Sequence, residues 1–337
     1  MPDNQFSPAF PVQATVEQPV RDQPVSISCV IPALNEERNL ALLLPQLAAL
    51  LGQIASDWEI IVVDDGSTDQ TPVLMAEFSC QPGFRYLQLS RNFGKEAAMS
   101  AGLEAADGQV VVLLDADMQH PLDLIPTMVE RWRLGVDTVY TVKEHRRQEP
   151  WLMRVGTAMF YRIVGQDQRV SIPRDAGDFR LMDRRVVDAL IRLPERTRFM
   201  KGLYAWVGFS AEALSYRPAE RVFGETKFDL LKLLRLTIDG VTAFSTWPLR
   251  AFSLLGILLA LLSFAYGSFL VLDYLLNGHH ISGWTTIVTG MFFFSGLNLI
   301  ALGIIGAYVA RIFDEVKERP LYVVRNRLGA RRLVRPA

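Results

Sequence analysis

Two stretches near the carboxyl end of the chain, Ala251 to Leu272 and Ile281 to Ala310, contain no Asp, Glu, Lys or Arg. Each exceeds the ~18 apolar residues that suggest a membrane span. Helices of that length in soluble domains normally carry a polar face, so a buried helical hairpin is the weaker reading. We expect two transmembrane helices, over 247–273 and 281–312, followed by a basic tail over 313–337. Lys227, Lys232, Arg235 and Arg250 precede the first stretch, and Arg311, Lys317, Arg319, Arg325 and Arg327 follow the second. Asp273 to Gly283 holds neither Lys nor Arg. The positive-inside rule then places both termini and the large N-terminal part in the cytoplasm, on a multi-pass protein of the cell membrane. The short loop with His279 and His280 falls outside as a solvated turn.

Ahead of those stretches the chain reads as a soluble domain. Half of the residues are hydrophobic and the formal net charge is -1, which excludes a disordered chain and one drawn to nucleic acid by bulk charge. Met1 to Gln23 is polar, bears Pro and Gln, and has no apolar core of a signal peptide, so 1–24 is expected to be a disordered leader. Cys29 and Cys80 are the only cysteines. That number supports no disulfide framework or thiolate metal site, and both read as packing residues.

Short apolar runs at Val25–Ile31, Trp58–Val63, Phe84–Leu89, Val110–Leu114 and Thr138–Val142 read as strands bounded by turn residues. Helical spacing lies between them. The first helix carries Leu40, Leu43, Leu44, Leu47, Leu50 and Leu51 and should stop at Gly52. The stretches Lys95–Ala105 and Leu122–Leu134 repeat the pattern, closing at Gly108 and Gly135. Strict β-α alternation implies an α/β domain over 25–227 with a mainly parallel sheet. Beyond Val142 the pattern mixes basic and aromatic residues. A helix near 151–165 fits either a membrane interface or an ordinary surface, and 228–246 reads as an amphipathic helix leading into the first span.

In open α/β sheets ligands bind beyond the carboxyl ends of the strands. Asn35 and Glu36, Asp64 and Asp65, and Asp115 and Asp117 stand there. Asp115-Ala116-Asp117 at the end of an apolar strand can place two carboxylates around one hard cation, with Gln119 as a neutral oxygen ligand and a diphosphate completing the shell. An Asp-x-Asp in isolation is common in turns. Asp64-Asp65-Gly66-Ser67 is balanced between nucleotide binding and capping of the next helix by Asp64 and Ser67. No phosphate loop of the Gly-x-x-x-x-Gly-Lys type and no clear Gly-x-Gly-x-x-Gly fingerprint occurs, which argues against an ATPase or a dinucleotide-dependent oxidoreductase.

Val-Ile-Pro-Ala-Leu-Asn-Glu-Glu at 30–37, Val-Val-Asp-Asp-Gly-Ser at 62–67 and Leu-Asp-Ala-Asp-Met-Gln-His-Pro at 114–121 together resemble the GT-A (Rossmann-like) glycosyltransferases of family 2. Arg-Asn-Phe-Gly-Lys-Glu at 91–96, Gly-Asp-Phe-Arg-Leu-Met at 177–182 and the two apolar stretches narrow the resemblance to polyisoprenyl-phosphate glycosyltransferases. The likeness runs from Val25 to Tyr322. It implies an inverting transfer of a hexose from a nucleotide sugar, UDP-glucose by preference, to undecaprenyl or another polyisoprenyl phosphate, with Mg²⁺ or Mn²⁺ as cofactor. GDP-mannose and a UDP-linked amino-arabinose derivative stand as alternative donors.

The resemblance also implies site residues. Pro32, Leu34, Glu36, Val63 and Asp65 would contact the nucleotide. Asp115, Ala116, Asp117 and Gln119 would surround diphosphate and metal, with Lys95 on the donor side. Lys143 stands where relatives often carry Arg, and so offers a point charge instead of a bidentate contact. Arg221 and Lys227, in an Arg-x-x-Gly-x-Thr-Lys segment, would close over the phosphates. Asp178 is expected near the reacting centre as base or orienting group. Apart from the resemblance, Arg146 and Arg154 are candidate acceptor-phosphate ligands beside the membrane, where anionic headgroups also draw basic residues. A phosphate whose second pKa is about 6 is largely an anionic nucleophile at neutral pH, so a strong base is less necessary than with a sugar hydroxyl. A processive polysaccharide synthase fits less well, because no Gln-x-x-Arg-Trp motif and no further spans are present. A catalytically silent nucleotide-binding scaffold is disfavoured by the joint presence of Lys95, Asp115, Asp117 and Asp178. A homo-oligomer is compatible with all of this.

Overall fold

Four apolar runs become the parallel half of one sheet: β1 (Ser26–Ala33), β2 (Asp57–Asp64), β3 (Phe84–Leu89) and β4 (Val110–Leu113). The structure is a computed structural model that describes residues 21, 24–143, 176–196, 198–216, 247–277 and 283–330. β1 pairs in parallel with β2 and with β4, and β2 with β3, Cys29 lying level with both Ile60 and Val112. Helices cover both faces, which is why these strands read as near-continuous apolar runs without alternation. α1 (Glu37–Ile54) sets Leu40, Leu43, Leu44, Leu47 and Leu51 into one core with Ile27, Cys29, Ile31, Ile60 and Val62. α3 (Lys95–Ala105) sets Ala98, Met99, Ala101 and Leu103 into the other, against Val30, Ile61, Val63 and Val111. α2 (Thr71–Phe78) and α4 (Leu124–Arg133) complete the crossovers. The first helix does not stop at Gly52. It runs to Ile54 and ends on extended Ala55, because Leu51 is still in the core and one glycine costs only about 1 kcal/mol in a helix.

The fifth expected strand departs from simple alternation. β5 (Thr138–Lys143) does not lie beside β4, because β6 (Ala176–Asp183) is inserted between them, antiparallel to both. β7 (Ala211–Tyr216) adds to β5 in parallel, and β8 (Val324–Leu328) adds to β3 antiparallel. The sheet order is β7-β5-β6-β4-β1-β2-β3-β8. β6 escapes a sequence reading because Gly177, Asp178 and Arg180 interrupt its apolar pattern; Arg180 is nonetheless buried, stacked 3.4 Å from the Tyr204 ring. α5 (Arg184–Ile191) follows β6, capped by the Asp183 carboxylate accepting from Arg185 N, and α6 (Met200–Trp206) precedes β7.

Arg21, placed by sequence in a disordered leader, is fixed in the domain. Its guanidinium pairs with Asp137 at 3.1 Å and Asp183 at 2.9 Å and lies over the Trp132 ring. Cys29 is core, whereas Cys80 is exposed and is not a packing residue. The two apolar stretches form long helices in contact with each other, α7 (Trp247–Asn277) and α8 (Trp284–Val316). Their large apolar side chains face outward: Leu254, Leu262, Leu275, Leu299 and Leu302 are each more than half exposed. Among the described residues, one segment, Phe293–Val316, is long and apolar enough to cross a membrane. The end of α8 returns to the α/β domain, where the Glu315 carboxylate accepts from Arg196 N at 3.1 Å. The expected helices over 151–165 and 228–246, and the loop histidines, lie outside the described residues.

Candidate active site

The carboxyl ends of β1, β2 and β4 open into a cleft of about 330 Å³. Pro32, Ala33, Leu34 and Glu36 form its first wall, and Asp65, Asn92, Gly94, Lys95 and Ala98 its second. Asp115, Ala116 and Asp117 close the third side. Sequence reasoning thus located eight of its residues (Pro32, Leu34, Glu36, Asp65, Lys95, Asp115, Ala116 and Asp117), and the fold brings them together. Leu34 is 41% exposed, an apolar surface left open in the cleft wall. Glu36 is held by Asn39, whose side-chain amide donates to it at 2.6 Å.

The loops around the cleft are tied to one another. Asn35 adopts a left-handed conformation, with φ of 58°. Its N–H donates to Ser67 Oγ, and its side-chain oxygen accepts from Thr68 N at 2.8 Å. Asp64 and Asp65 have separate duties. Asp64 is wholly buried and accepts from Ser67 N at 2.7 Å and Tyr86 OH at 2.5 Å. It does not cap α2, whose N-cap, Gln70, makes no side-chain capping bond; Asp69, one residue earlier, accepts from Thr71 N at 3.0 Å. Asp65 faces the cleft and accepts from Phe93 N at 2.7 Å and Gly94 N at 2.9 Å, fixing the loop before α3. Burial raises its carboxyl above the ordinary value even against those donors. Gly66, with φ of 80°, lets the backbone lie against Arg91 and Asn92: a Cβ there would meet Arg91 C at 2.7 Å.

The loop after β4 is held differently. Lys95 Nζ lies 2.7 Å from Asp115 Oδ1 and 2.7 Å from Asp178 Oδ2, one ammonium bridging two carboxylates from different strand ends. Burial disfavours its charge, but Asp115 and Asp178 outweigh burial and hold the ammonium above the usual lysine range. Burial likewise opposes ionisation of Asp115, yet neighbouring His120 and Lys95 hold its carboxyl well below the usual range. His120 is buried, stacked against Phe179 and Tyr216, with Nε2 3.7 Å from the second oxygen of Asp115. Asp117 accepts from Gln119 N at 3.2 Å, and Met118 between them takes φ of 56°. Glu96, next to Lys95, accepts from Met200 N at 3.3 Å; burial, then the Asp178 charge, push its carboxyl up to about 7.

The family model for glycosyl transferase family 2 matches residues 28–191. A bactoprenol glucosyl transferase of Shigella phage SfV is 37% identical over 303 residues, covering 90% of this chain and 99% of that protein. The chain belongs to glycosyltransferase family 2. An uncharacterized glycosyltransferase of Synechocystis is 42% identical over 306 residues, 90% of this chain and 96% of its own length. Glucosyl-3-phosphoglycerate synthase of Mycobacterium tuberculosis, solved with Mn²⁺ and UDP-glucose, overlays with a TM-score of 0.43 and 21% identity, over 65% of this chain and 78% of that one. That overlay is too loose to bear on ligands.

The protein is therefore a glycosyltransferase with the mostly parallel α/β sheet of the GT-A class, as its motifs led us to expect. Not every expected residue reaches the cleft. Val63 is fully buried beneath it, in the core with α3. Gln119 is tied to Asp117 through its main-chain N–H. Lys143 ends β5, separated from β4 by β6. Arg146, Arg154, Arg221 and Lys227 lie outside the described residues. Asn92, Gly94 and His120 stood in the recognised motifs without an assigned role. The turn glycine after Asn92 was their only individual signal, since their contacts are made across the sheet.

Proposed function

We propose that this glycosyltransferase transfers glucose from UDP-glucose, with inversion, to a polyisoprenyl phosphate at the cytoplasmic face of the cell membrane. The observation that carries the reading is Lys95, held charged between Asp115 and Asp178 at one side of a cleft that could admit a nucleotide. An acceptor phosphate oxygen attacks the anomeric carbon, the bond from that carbon to the diphosphate oxygen breaks, and its electron pair leaves with UDP. Lys95 supplies positive charge where negative charge grows on the diphosphate, and preorganised charge of this kind is usually the largest single contribution to such catalysis. Once the ammonium turns to the diphosphate, Asp178 is released to orient the acceptor. Leu34 offers its exposed apolar surface to the nucleobase, and Asp65 fixes the loop beside it.

The acid residues also fit a divalent cation. Among the described residues no three His, Cys, Asp or Glu side chains gather closely enough to cage a metal. Asp115 and Asp117 instead offer two hard oxygen donors on one cleft wall, the donor set of Mg²⁺ or Mn²⁺ bound through one or two carboxylates plus substrate phosphates. Gln119, which is absent from the cleft wall, stands in that set as the neutral oxygen ligand that the sequence motif suggests. The cation, when bound, supplies Lewis-acid stabilisation of the departing diphosphate. Lys143, Arg221 and Lys227 as donor ligands and Val63 as a nucleotide contact rest on family resemblance, and Arg146 and Arg154 as acceptor-phosphate ligands rest on their basic charge beside the membrane.

The lipid acceptor is supported by α7 and α8. The end of α8 meets the domain at Glu315, and α7 and α8 contact each other with only residues 278–283 between them, so a membrane-crossing pair would have both outer ends on the domain's side. A tag after Ala337 should then be cytoplasmic and one within Asn277–Ser282 external; labelling of both from one side would exclude the pair. The glucose assignment follows the names of the relatives. Purified protein in detergent, given polyprenyl phosphate and either UDP-glucose or GDP-mannose, should form an inverted glucosyl lipid from UDP-glucose and lose that activity in EDTA. Binding of UDP with no transfer from either donor would overturn the proposed reaction.

A further inference from the structure

By composition, the chain after α8 is a basic tail. In the structure it is the edge of the catalytic sheet. β8 pairs with β3 from Tyr86↔Leu328 to Leu89↔Val324, and Asn326 donates its side-chain amide to Gln88 at 2.8 Å. Gly329, with φ of 89°, closes the strand against the main chain of Phe84 and Arg85, leaving no room for a side chain. Two adjacent residues at the start of this segment make more specific contacts. Val323 O accepts from Ser90 N at 2.8 Å, and Tyr322 OH donates to Glu104 Oε2 at 2.6 Å.

Those two contacts fall at the two ends of one unit. Ser90 opens the loop that carries Asn92 and Gly94 to the cleft, and Glu104 stands in the last turn of α3, whose first residue is Lys95. Tyr322 and Val324 also pack on the core that holds Ala98, Met99 and Ala101 of that helix. Asp65 grips the loop from the cleft side, through Phe93 and Gly94. Without the segment 322–329 the unit keeps that inner hold and loses the outer one, and β3 is left with an unpaired edge. We infer that the segment 322–329 is a strap that positions the donor loop and Lys95, with Tyr322 and Val323 as positioning residues. Donor binding would then depend on the stretch of chain that follows α8.

The inference rests on the reading of the cleft as a nucleotide-donor site, and direct binding separates the two. UDP with Mg²⁺ would be titrated calorimetrically into the detergent-solubilised full chain, a chain ending at Leu321, Tyr322→Phe and Glu104→Gln. Affinity for UDP should fall about thirtyfold in the shortened chain and about fivefold in Tyr322→Phe, the size expected when two hydrogen bonds or one, worth about 1 kcal/mol each, stop holding a binding loop. Glu104→Gln keeps a side-chain oxygen to accept from Tyr322 and should bind as the full chain does. In turnover, KM for the donor should rise by the same factors while KM for polyprenyl phosphate stays constant. A synthetic peptide of residues 320–330 should restore UDP binding to the shortened chain. If the shortened chain does not fold, Tyr322→Phe decides. Unchanged UDP affinity in Tyr322→Phe, or an equal rise in both KM values, overturns the strap. Absence of UDP binding by the intact chain sinks the donor reading instead.

Discussion

Two strand ends of this glycosyltransferase carry paired acids on neighbouring loops, Asp64-Asp65 after β2 and Asp115-Ala116-Asp117 after β4, and the fold uses them in opposite ways. After β2 both carboxylates are bound by groups that stay in place: Asp64 by Ser67 N and Tyr86 OH, Asp65 by Phe93 N and Gly94 N. After β4, Asp115 is bound by the ammonium of Lys95, a flexible side chain shared with Asp178. A main-chain donor cannot follow a substrate, whereas a lysine ammonium can. The first pair is therefore fixed in place, and under the proposed reaction the second is the one whose charge can be redistributed to a substrate.

The comparison breaks most readily at Asp115. Asp115→Asn should lower turnover by roughly 10²–10³, the loss typical when one preorganised electrostatic group is removed, in a protein that stays folded at the assay temperature although it melts earlier than the parent, having lost the stabilising carboxylate. Single-turnover transfer at saturating donor, paired with calorimetric unfolding, checks both halves. Near-normal turnover would move the catalytic charge elsewhere. Asp64→Ala should do the reverse. It strands Tyr86 OH and Ser67 N in a buried site and should cost about 2–4 kcal/mol of stability, read by denaturant unfolding of the α/β domain. A full-stability Asp64→Ala protein with abolished transfer would erase the division between the two loops.

The smallest effect sharpens the contrast from a neighbour of both, Glu96. Burial pushes its carboxyl up to about 7, above the ordinary glutamate value of about 4.5, so ionisation in the folded protein is disfavoured. The sign follows directly: below about 4.5 both states are protonated and nothing is lost, and the destabilisation grows as pH rises to about 7 and is constant above. Glu96→Gln should therefore gain stability over the parent across that interval and keep the gain at higher pH. Asp115 works with opposite sign. Its depressed carboxyl contributes stability above its unfolded value of 3.8, and that contribution is lost as pH falls below it. Melting temperatures of parent and Glu96→Gln measured from pH 4 to 8 test this, and parallel curves would remove Glu96 from the electrostatics of the site.

Much of this was determined by the sequence alone, because the signals are local. Short apolar runs bounded by turn residues placed β1 to β4 to within two residues. The rule that such sheets bind ligands at their carboxyl ends then pointed to Glu36, Asp65, Asp115 and Asp117, and Pro32 and Leu34 came from the family resemblance. The same period-based reading failed wherever a residue's partner is remote. β6 contains a buried arginine that only the stacked Tyr204 explains. Arg21 is ordered by Asp137 and Asp183, far along the chain. β8 is a strand because β3 offers an open edge. Which acid of each pair faces the cleft, and which cation holds it, depends on β6 lying beside β4 and bringing Asp178 within reach of Lys95. Local pattern sets where a strand begins and ends; only the packed sheet decides which side chains become neighbours across it.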